Sequence, residues 1–329
     1  MKKVTQWFTA ISLSVLMLAV AGCGGSQSNA PKAAGKTVIE YWHVNAESFG
    51  GPTVKQLVEQ FNKENPDVEV VAKYNPDMYK GLTQNLQTAM ASGKNPDVVQ
   101  MGYSYLNYAG ENLKYTSMQD IIAKLAPEDK TFMQDNYLPN VLSLATTDDG
   151  KQIGLPYSVS VPVLYYNPDI FRQAGLDPAK PPKTWQEVTQ YAKIIKEKTG
   201  IVGFFMQEYA DNLMIFSKEP EKQKAAWRFV KYLESPAALA LWTKGTGYMP
   251  PRKGVAEDPK GLKEFVEQNK NMQVAMASMP DVVKWASFPG ANGLQAEQAL
   301  IDVRDIILSG KVTAAEALKQ AAAKINSLL

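Results

Sequence analysis

The stretch TVIEYWHVNAESFGGPTVKQLVEQFNKENPDVEVVAKY, residues 37–74, contains one complete strand–helix–strand unit. Its first eight residues are rich in β-branched and aromatic side chains, which predicts a β-strand over residues 37–44. After Gly-Gly-Pro, apolar residues recur at helical spacing as far as Asn65-Pro66, which predicts an amphipathic helix that ends there. VEVVAKY, residues 68–74, is typical of a second strand. Two strands joined by a helix predict parallel pairing.

The same alternation continues along the chain. Residues 78–92 place apolar side chains on one helical face, and NPDVVQMG, residues 95–102, is typical of a third short strand. Further on, VPVLYYN, residues 161–167, is strand-like. Thr184 and Glu187 have the spacing of a capping box, and Gly200 follows as a C-terminal stop. This order of elements predicts an α/β fold with a parallel sheet, and no internal repeat of fixed period is visible.

Composition excludes several classes of function. The 35 basic and 33 acidic residues leave no basic excess of the kind that nucleic-acid binding requires. His43 is the sole histidine and no G-x-S-x-G motif occurs, so a histidine-dependent triad is not supported. A zinc site needs several histidine or cysteine ligands, and we expect neither a metal nor a cofactor. A surface glycoside hydrolase stays open as an alternative, because the acidic residues offer many carboxylate pairs.

The N-terminal segment has the layout of a secretory signal. Lys2 and Lys3 precede an apolar run over residues 7–21, which is too short for a membrane-spanning helix. VAGC ends at Cys23, the sole cysteine, and is similar to a bacterial lipobox. We therefore expect a lipoprotein signal peptide over residues 1–22, lipid on Cys23 and a flexible tether over residues 23–36. The alternative is an ordinary signal peptide with an incidental cysteine.

Tyrosines are frequent near the ends of the predicted strands and in loops. A tyrosine offers an apolar face and a hydroxyl group, a combination that suits stacking on a sugar ring while binding its hydroxyls. The alternative for each of them is a structural role in the core or at the surface. These tyrosines are Tyr41, Tyr79, Tyr103, Tyr105, Tyr108, Tyr157, Tyr165, Tyr166 and Tyr248.

The longest motif, SVPVLYYNPDIFRQAGLDPAKPPKTWQEV at residues 160–188, resembles the extracellular solute-binding proteins that feed carbohydrate ABC importers. Other segments agree in order, and the resemblance covers nearly all of the chain after Cys23. It is closest to the branch that contains glycerol-3-phosphate binders and related sugar binders. The agreeing segments are YWH (41–43), FNKENPDVEV (61–70), NPDVVQM (95–101), NLMIFSKEPEKQKAAWRFVKYLESP (212–236) and TGYMPPRK (246–253).

The resemblance implies a two-lobed α/β fold of the periplasmic-binding-protein type, with class II topology and strands that cross between the lobes. It assigns residues 37–154 and 211–247 to the first lobe, and residues 155–210 and 248–329 to the second. A ligand would bind in the cleft between the lobes by hinge closure. The resemblance implies no enzymatic activity, and it assigns ligand contacts to His43, Tyr79, Tyr103, Ser160 and Tyr248.

One departure from the glycerol-3-phosphate binders concerns the ligand. Where they use an arginine in the first of the last two helices, this chain has Glu297, with Arg304 two turns later. Glu297 is therefore the sixth expected ligand contact. Phosphate recognition favours a fork of donors, and a carboxylate at that place repels it. The resemblance therefore implies a neutral sugar, with glycerol 3-phosphate or a glycerophosphodiester as the alternative. It also implies a monomer held on the extracytoplasmic face of a bacterial membrane, with ABC permease subunits as partners.

A second departure concerns length. KTGIVGFFMQEYAD, residues 198–211, runs directly into NLMIFSKEPEKQ, which belongs to a later part of the family pattern. We expect an internal deletion near residue 210 that leaves the second lobe incomplete and ligand binding weak or lost, so a non-functional truncated receptor is a further alternative. The competing interpretation is a natural hairpin in which residues 200–207 pair with residues 212–217.

Overall fold

A five-stranded sheet forms the centre of the computed structural model, which describes residues 35–161, 164, 166–203 and 210–329. The predicted signal peptide, Cys23 and the tether as far as residue 34 lie outside the described residues. The spatial order of the strands is β2-β1-β3-β5-β4. They comprise β1 (Thr37–His43), β2 (Val68–Tyr74), β3 (Val98–Gly102), β4 (Leu155–Ser158) and β5 (Asp211–Ile215).

The predicted parallel pairing is confirmed. β1 pairs in parallel with β2 from Thr37↔Val68 to His43↔Tyr74, and on its other edge it pairs in parallel with β3. β5 enters from the far end of the sequence and runs antiparallel between β3 and β4. The sheet is therefore assembled from two segments of the chain that lie far apart in sequence.

Helices flank the sheet and make up most of the remaining regular structure. Among the described residues, none of them combines the length and the apolar character needed to span a membrane. The helices are α1 (Gly51–Glu64), α2 (Met78–Ala91), α3 (Leu106–Asn112), α4 (Met118–Leu125), α5 (Phe132–Asn136), α6 (Pro139–Ser143), α7 (Pro168–Gln173), α8 (Trp185–Thr199), α9 (Pro220–Leu233), α10 (Pro236–Thr246), α11 (Lys263–Gln268), α12 (Lys270–Ala277), α13 (Gly293–Leu308) and α14 (Ala314–Leu328).

Local signals in the sequence determine where α8 begins and ends. The Thr184 hydroxyl accepts a hydrogen bond from the Glu187 backbone N–H, and the Glu187 carboxylate accepts one from the Thr184 backbone N–H. This reciprocal pair satisfies two N–H groups that the first turn leaves without helical partners. At the other end Gly200 adopts φ 72°, a left-handed conformation that glycine takes at low cost. The predicted capping box and stop are confirmed.

One large apolar core joins the sheet to the helices around it. Phe61 of α1 and Phe229 of α9 meet edge to face, with ring centroids 5.1 Å apart, and Tyr41 of β1 contacts Phe229 at 5.3 Å. Aromatic pairs in this geometry contribute about 0.5–1.5 kcal/mol beyond their buried area. The helix from the last third of the chain is thereby fixed to the first strand.

The helices α7 and α8 form a small second cluster of their own. Its fully buried members are only Phe171, Ala174 and Ile195 within the described part of the chain. Apolar side chains nearby face solvent: Trp185 is 70% exposed and Val202 is 71% exposed. This part of the molecule buries little apolar surface compared with the sheet core.

One expected strand and the competing hairpin interpretation are wrong for the residues that can be compared. β5 has β3 on one edge and β4 on the other, so neither edge is free for a hairpin partner. In the stretch 161–167, expected to be a strand, the described residues 161, 164, 166 and 167 are not in one. Directly after β4 the chain makes the bridge Val159↔Met249, and the described residues of 161–167 make no strand pairing beyond it.

Candidate functional site

The predicted ligand residues converge on one edge of the sheet. His43 ends β1, Tyr103 directly follows β3, and Tyr79 lies in the first turn of the helix after β2. The carboxyl ends of these parallel strands therefore meet at the same edge, and ligands of open α/β sheets bind outside that edge. β5 runs the opposite way and begins there, so Asp211 enters the same place.

Asp211 is the centre of this site, and the sequence interpretation did not include it. Its side chain is fully buried. One carboxyl oxygen, Oδ2, accepts a hydrogen bond from the Tyr79 hydroxyl at 2.7 Å and another from the Gln100 amide nitrogen Nε2, also at 2.7 Å. The Gln100 oxygen Oε1 accepts from the Val44 backbone N–H at 3.1 Å. A continuous network thus joins β1, β3 and β5.

Burial dominates the titration of this network. It raises the pKa of Asp211 to about 7, although the donors Tyr79 and Gln100 and the neighbouring Ser158 act in the opposite direction. Burial, followed by the charge of Asp211, raises the pKa of both Tyr79 and Tyr103 well above the usual tyrosine value. Both tyrosines therefore keep their protons and offer neutral hydroxyl groups at physiological pH.

Tyr248 and Ser160 approach the site from the second half of the chain. Tyr248 stacks on Trp242 with ring centroids 6.2 Å apart and an interplanar angle of 10°, and Trp242 stacks on Tyr157 at 4.7 Å. The Met249 N–H donates to the Val159 carbonyl at 3.0 Å, which brings the neighbouring residues Tyr248 and Ser160 together. Tyr248 also acts electrostatically on Tyr79 and Tyr103.

His43 is buried beside this network and is neutral. Its ring lies 5.6 Å from the ring of Tyr41 and 6.1 Å from that of Tyr74. The nitrogen Nδ1 accepts a hydrogen bond from the Asn45 backbone N–H at 3.3 Å. Burial lowers the pKa of His43 to about 4, so the ring carries no charge at neutral pH. A neutral histidine that accepts from the backbone suits packing or ligand contact better than proton transfer.

Glu297 lies in α13 and is buried against a different tyrosine. Burial, followed by the charge of Glu297, raises the pKa of Tyr105 to about 12. The structure therefore associates Glu297 with Tyr105, whereas Asp211 acts on Tyr79 and Tyr103. Five of the six predicted ligand residues gather at the carboxyl edge of the sheet, and Glu297 is placed beside the short helical turn that follows β3.

A second buried carboxyl group, Glu234, lies at the end of α9. Its oxygen Oε2 accepts from the Tyr137 hydroxyl at 2.8 Å, and its backbone carbonyl accepts from the Arg252 guanidinium. Burial raises the pKa of Glu234 to about 8; Tyr137 and Arg252 oppose this rise, and the charge of Asp211 adds to it. The two carboxyl groups therefore interact electrostatically, and both act on Tyr103.

Sequence comparison identifies the family. Residues 47–217 match a model described as bacterial extracellular solute-binding protein, and residues 206–274 match a second model with the same description. The chain belongs to the bacterial extracellular solute-binding protein family. Its members are binding proteins rather than enzymes, which removes the glycoside hydrolase alternative. The predicted family is confirmed.

Curated relatives match only part of the chain. The sn-glycerol-3-phosphate-binding periplasmic protein UgpB of Shigella dysenteriae is 31% identical over 192 residues, which is 58% of this chain and 41% of the relative. The Escherichia coli K12 protein of the same name is 30% identical over the same shares. The chain therefore spans about two fifths of the length of the curated relatives it matches.

Solved structures share the fold over most of the chain. UgpB from Mycobacterium tuberculosis in complex with glycerophosphocholine aligns with a TM-score of 0.71 at 14% identity, over 89% of this chain and 98% of that one. Maltose-bound MalE3 from T. maritima aligns with a TM-score of 0.69 at 17% identity, over 89% of this chain and 100% of that one. The predicted α/β periplasmic-binding-protein fold is confirmed.

Proposed function

We propose that the protein is a lipid-anchored extracytoplasmic receptor that captures a sugar or a sugar-like solute for an ABC importer. The observation that carries this proposal is the group of buried aromatic and polar side chains at the carboxyl edge of the sheet, in a chain of the solute-binding family. His43, Tyr79, Tyr103, Ser160 and Tyr248 are the proposed ligand residues. Neutral tyrosine hydroxyls can donate to solute oxygens while the rings cover the apolar face of a sugar.

The ligand class rests on one carboxylate. The curated relatives are named for sn-glycerol 3-phosphate, which favours that solute and glycerophosphodiesters as a second candidate. Glu297 argues against a phosphate, because it stands where the resemblance places an arginine, and a buried carboxyl group does not supply the donors that a phosphate requires. A neutral sugar is therefore the first candidate. Membrane attachment through Cys23 and delivery to permease subunits complete the proposal.

The second lobe of this receptor is incomplete. Two observations support this interpretation: the cluster between α7 and α8 is small, and apolar side chains near it are exposed. The lobe boundaries remain those predicted above, with residues 155–210 and 248–329 in the shortened lobe. A cleft that lacks part of one wall makes fewer contacts, so we expect affinity far below that of an intact receptor.

Thermal unfolding with added solutes tests the proposal. Maltose, glycerol 3-phosphate and glycerophosphocholine are added in turn, from micromolar to high millimolar concentration. We expect a shift only at millimolar concentrations, because a solute stabilises by RT ln(1 + [L]/Kd). Tyr103→Phe should reduce the shift, whereas Tyr232→Phe, which removes a hydroxyl that donates to Gln60 on α1, should not.

The outcomes separate the alternatives. No shift at any concentration would contradict the receptor function and favour a non-functional truncated protein. A saturating shift at micromolar solute would contradict the incomplete lobe. A shift with glycerol 3-phosphate but not with maltose would replace the first ligand candidate by the second.

A further inference from the structure

The donors around Asp211 form a site for a carboxyl group. We infer that the Tyr79 hydroxyl and the Gln100 amide form a carboxylate-binding site, here called the cradle, at the carboxyl edge of the sheet. The side chain of Asp211 fills this cradle in the folded protein and thereby occupies donors that a bound solute would otherwise use. The Tyr79 hydroxyl and the Gln100 amide both donate to the same oxygen at 2.7 Å. Both lengths lie within the normal range for hydrogen bonds to a carboxyl oxygen.

The cradle is held in place by contacts that do not involve Asp211. Gln100 is fully buried, and its Oε1 is occupied by the Val44 N–H, which directs Nε2 towards Asp211. The ring of Tyr79 lies over Gly102, where a Cβ atom would come within 2.7 Å of it. The Thr83 hydroxyl donates to the Tyr79 carbonyl at 2.6 Å. Both donors should therefore keep their positions when the carboxyl group is removed.

This arrangement bears on solute binding. Tyr79 is one of the proposed ligand residues, and its hydroxyl is already committed to a fully buried acceptor inside the protein. A solute oxygen must displace that bond to reach the same donor. This consequence rests on the proposed function, whereas the cradle itself does not.

Chemical complementation identifies the class of ligand. Asp211→Ala removes a carboxylate group and leaves a methyl group, so formate matches the vacated space. Asp211→Gly removes one carbon more, so acetate matches it. The expected ligand is a small carboxylate whose size follows the truncation, and larger carboxylates such as benzoate should not bind.

The experiment measures the unfolding midpoint of each variant with sodium formate or sodium acetate against sodium chloride at equal ionic strength. We expect formate to raise the midpoint of Asp211→Ala by about 2–4 °C near saturation, and acetate to do the same for Asp211→Gly. Wild type should not respond, because its cradle is filled. Leu213→Ala is the matched control, since it opens a space in the same buried strand where the removed group is apolar.

The inference is overturned if formate shifts Asp211→Ala no more than it shifts Leu213→Ala, or if wild type responds equally. Should Asp211→Ala fail to fold in chloride, recovery of its circular dichroism in formate supports the cradle, and failure to recover contradicts it. A double-mutant cycle between Tyr79→Phe and Asp211→Ala gives an independent answer: additive effects on stability contradict a direct bond. If formate raises the unfolding midpoint of Asp211→Ala but no solute raises that of wild type, the result supports the cradle and contradicts only the proposed function.

Discussion

Replacing the buried Glu234 by glutamine should change how stability depends on pH. Glu234 is fully buried at the end of α9, and burial raises its pKa from 4.5 to about 8. The folded protein therefore binds a proton that the unfolded chain releases above pH 4.5. Wild-type stability should fall as the pH rises from 4.5 towards 8 and level off above that value. Glutamine cannot ionise, so Glu234→Gln should lose this dependence.

The magnitude follows from the two pKa values. At roughly 1.4 kcal/mol per pH unit, the interval from 4.5 to about 8 corresponds to a ceiling of about 5 kcal/mol in the free energy of unfolding. The glutamine carbonyl can still accept from the Tyr137 hydroxyl. Its amide nitrogen replaces Oε1, which has no hydrogen-bond partner, so the variant carries a constant cost of about 1–3 kcal/mol for an unpaired donor. The variant should be less stable than wild type at pH 4.5 and more stable above pH 8.

Urea denaturation monitored by tryptophan fluorescence, from below pH 4.5 to above pH 8, measures the pH at which the stability of the variant overtakes that of wild type. Glu59→Gln, an exposed position on α1, is the matched control and should follow wild type at every pH. Asp211 has a pKa of about 7, so it adds a decline of the same sign, and the double variant Asp211→Asn/Glu234→Gln should be the flattest. If wild type and Glu234→Gln differ by the same amount at every pH, the reasoning about the buried proton is refuted.

Three further predictions concern packing and attachment. Trp242→Ala should cost about 3–5 kcal/mol in urea denaturation, because the indole is fully buried and stacks on Tyr157; a cost below 1 kcal/mol would contradict that packing. Gly102→Ala should cost about 1–3 kcal/mol, because its Cβ would lie 2.7 Å from the Tyr79 ring, and unchanged stability would show that the ring can move aside. Cys23→Ser should move the protein from the membrane fraction to the supernatant of fractionated cells, and an unchanged distribution would exclude lipid on that residue.

Local sequence signals predicted the elements that form from their own residues. The strand over residues 37–44, the helix after it and the capping box of Thr184 are all found close to their expected bounds. In each case the interactions that decide the structure lie within a few residues in sequence. The described residues of the expected strand over 161–167 are not in a strand for the opposite reason, because a strand is stable only when another strand is available to pair with it.

The centre of the site could not be predicted in the same way. Asp211 and Tyr79 are separated by 132 positions in the sequence, and their contact depends on the entry of β5 beside β3. Asp211 follows a stretch that resembles the second lobe, so the pattern gave no reason to expect a buried carboxyl group in the first sheet. The burial of Glu234 could not be predicted either, since a glutamate at the end of a helix is usually exposed. Its hydrogen-bond donor, the Tyr137 hydroxyl, comes from a distant segment of the chain.

The pairing of Ser158 with Asp211 has a consequence for engineering. The chain leaves the sheet at the end of β4 and returns at the start of β5, and these two points lie side by side. A segment inserted between them would begin and end at adjacent positions. The entropic cost of closing such a loop rises only slowly with its length. This junction is therefore a natural place to graft a foreign domain, such as a fluorescent reporter, whose own termini are close together.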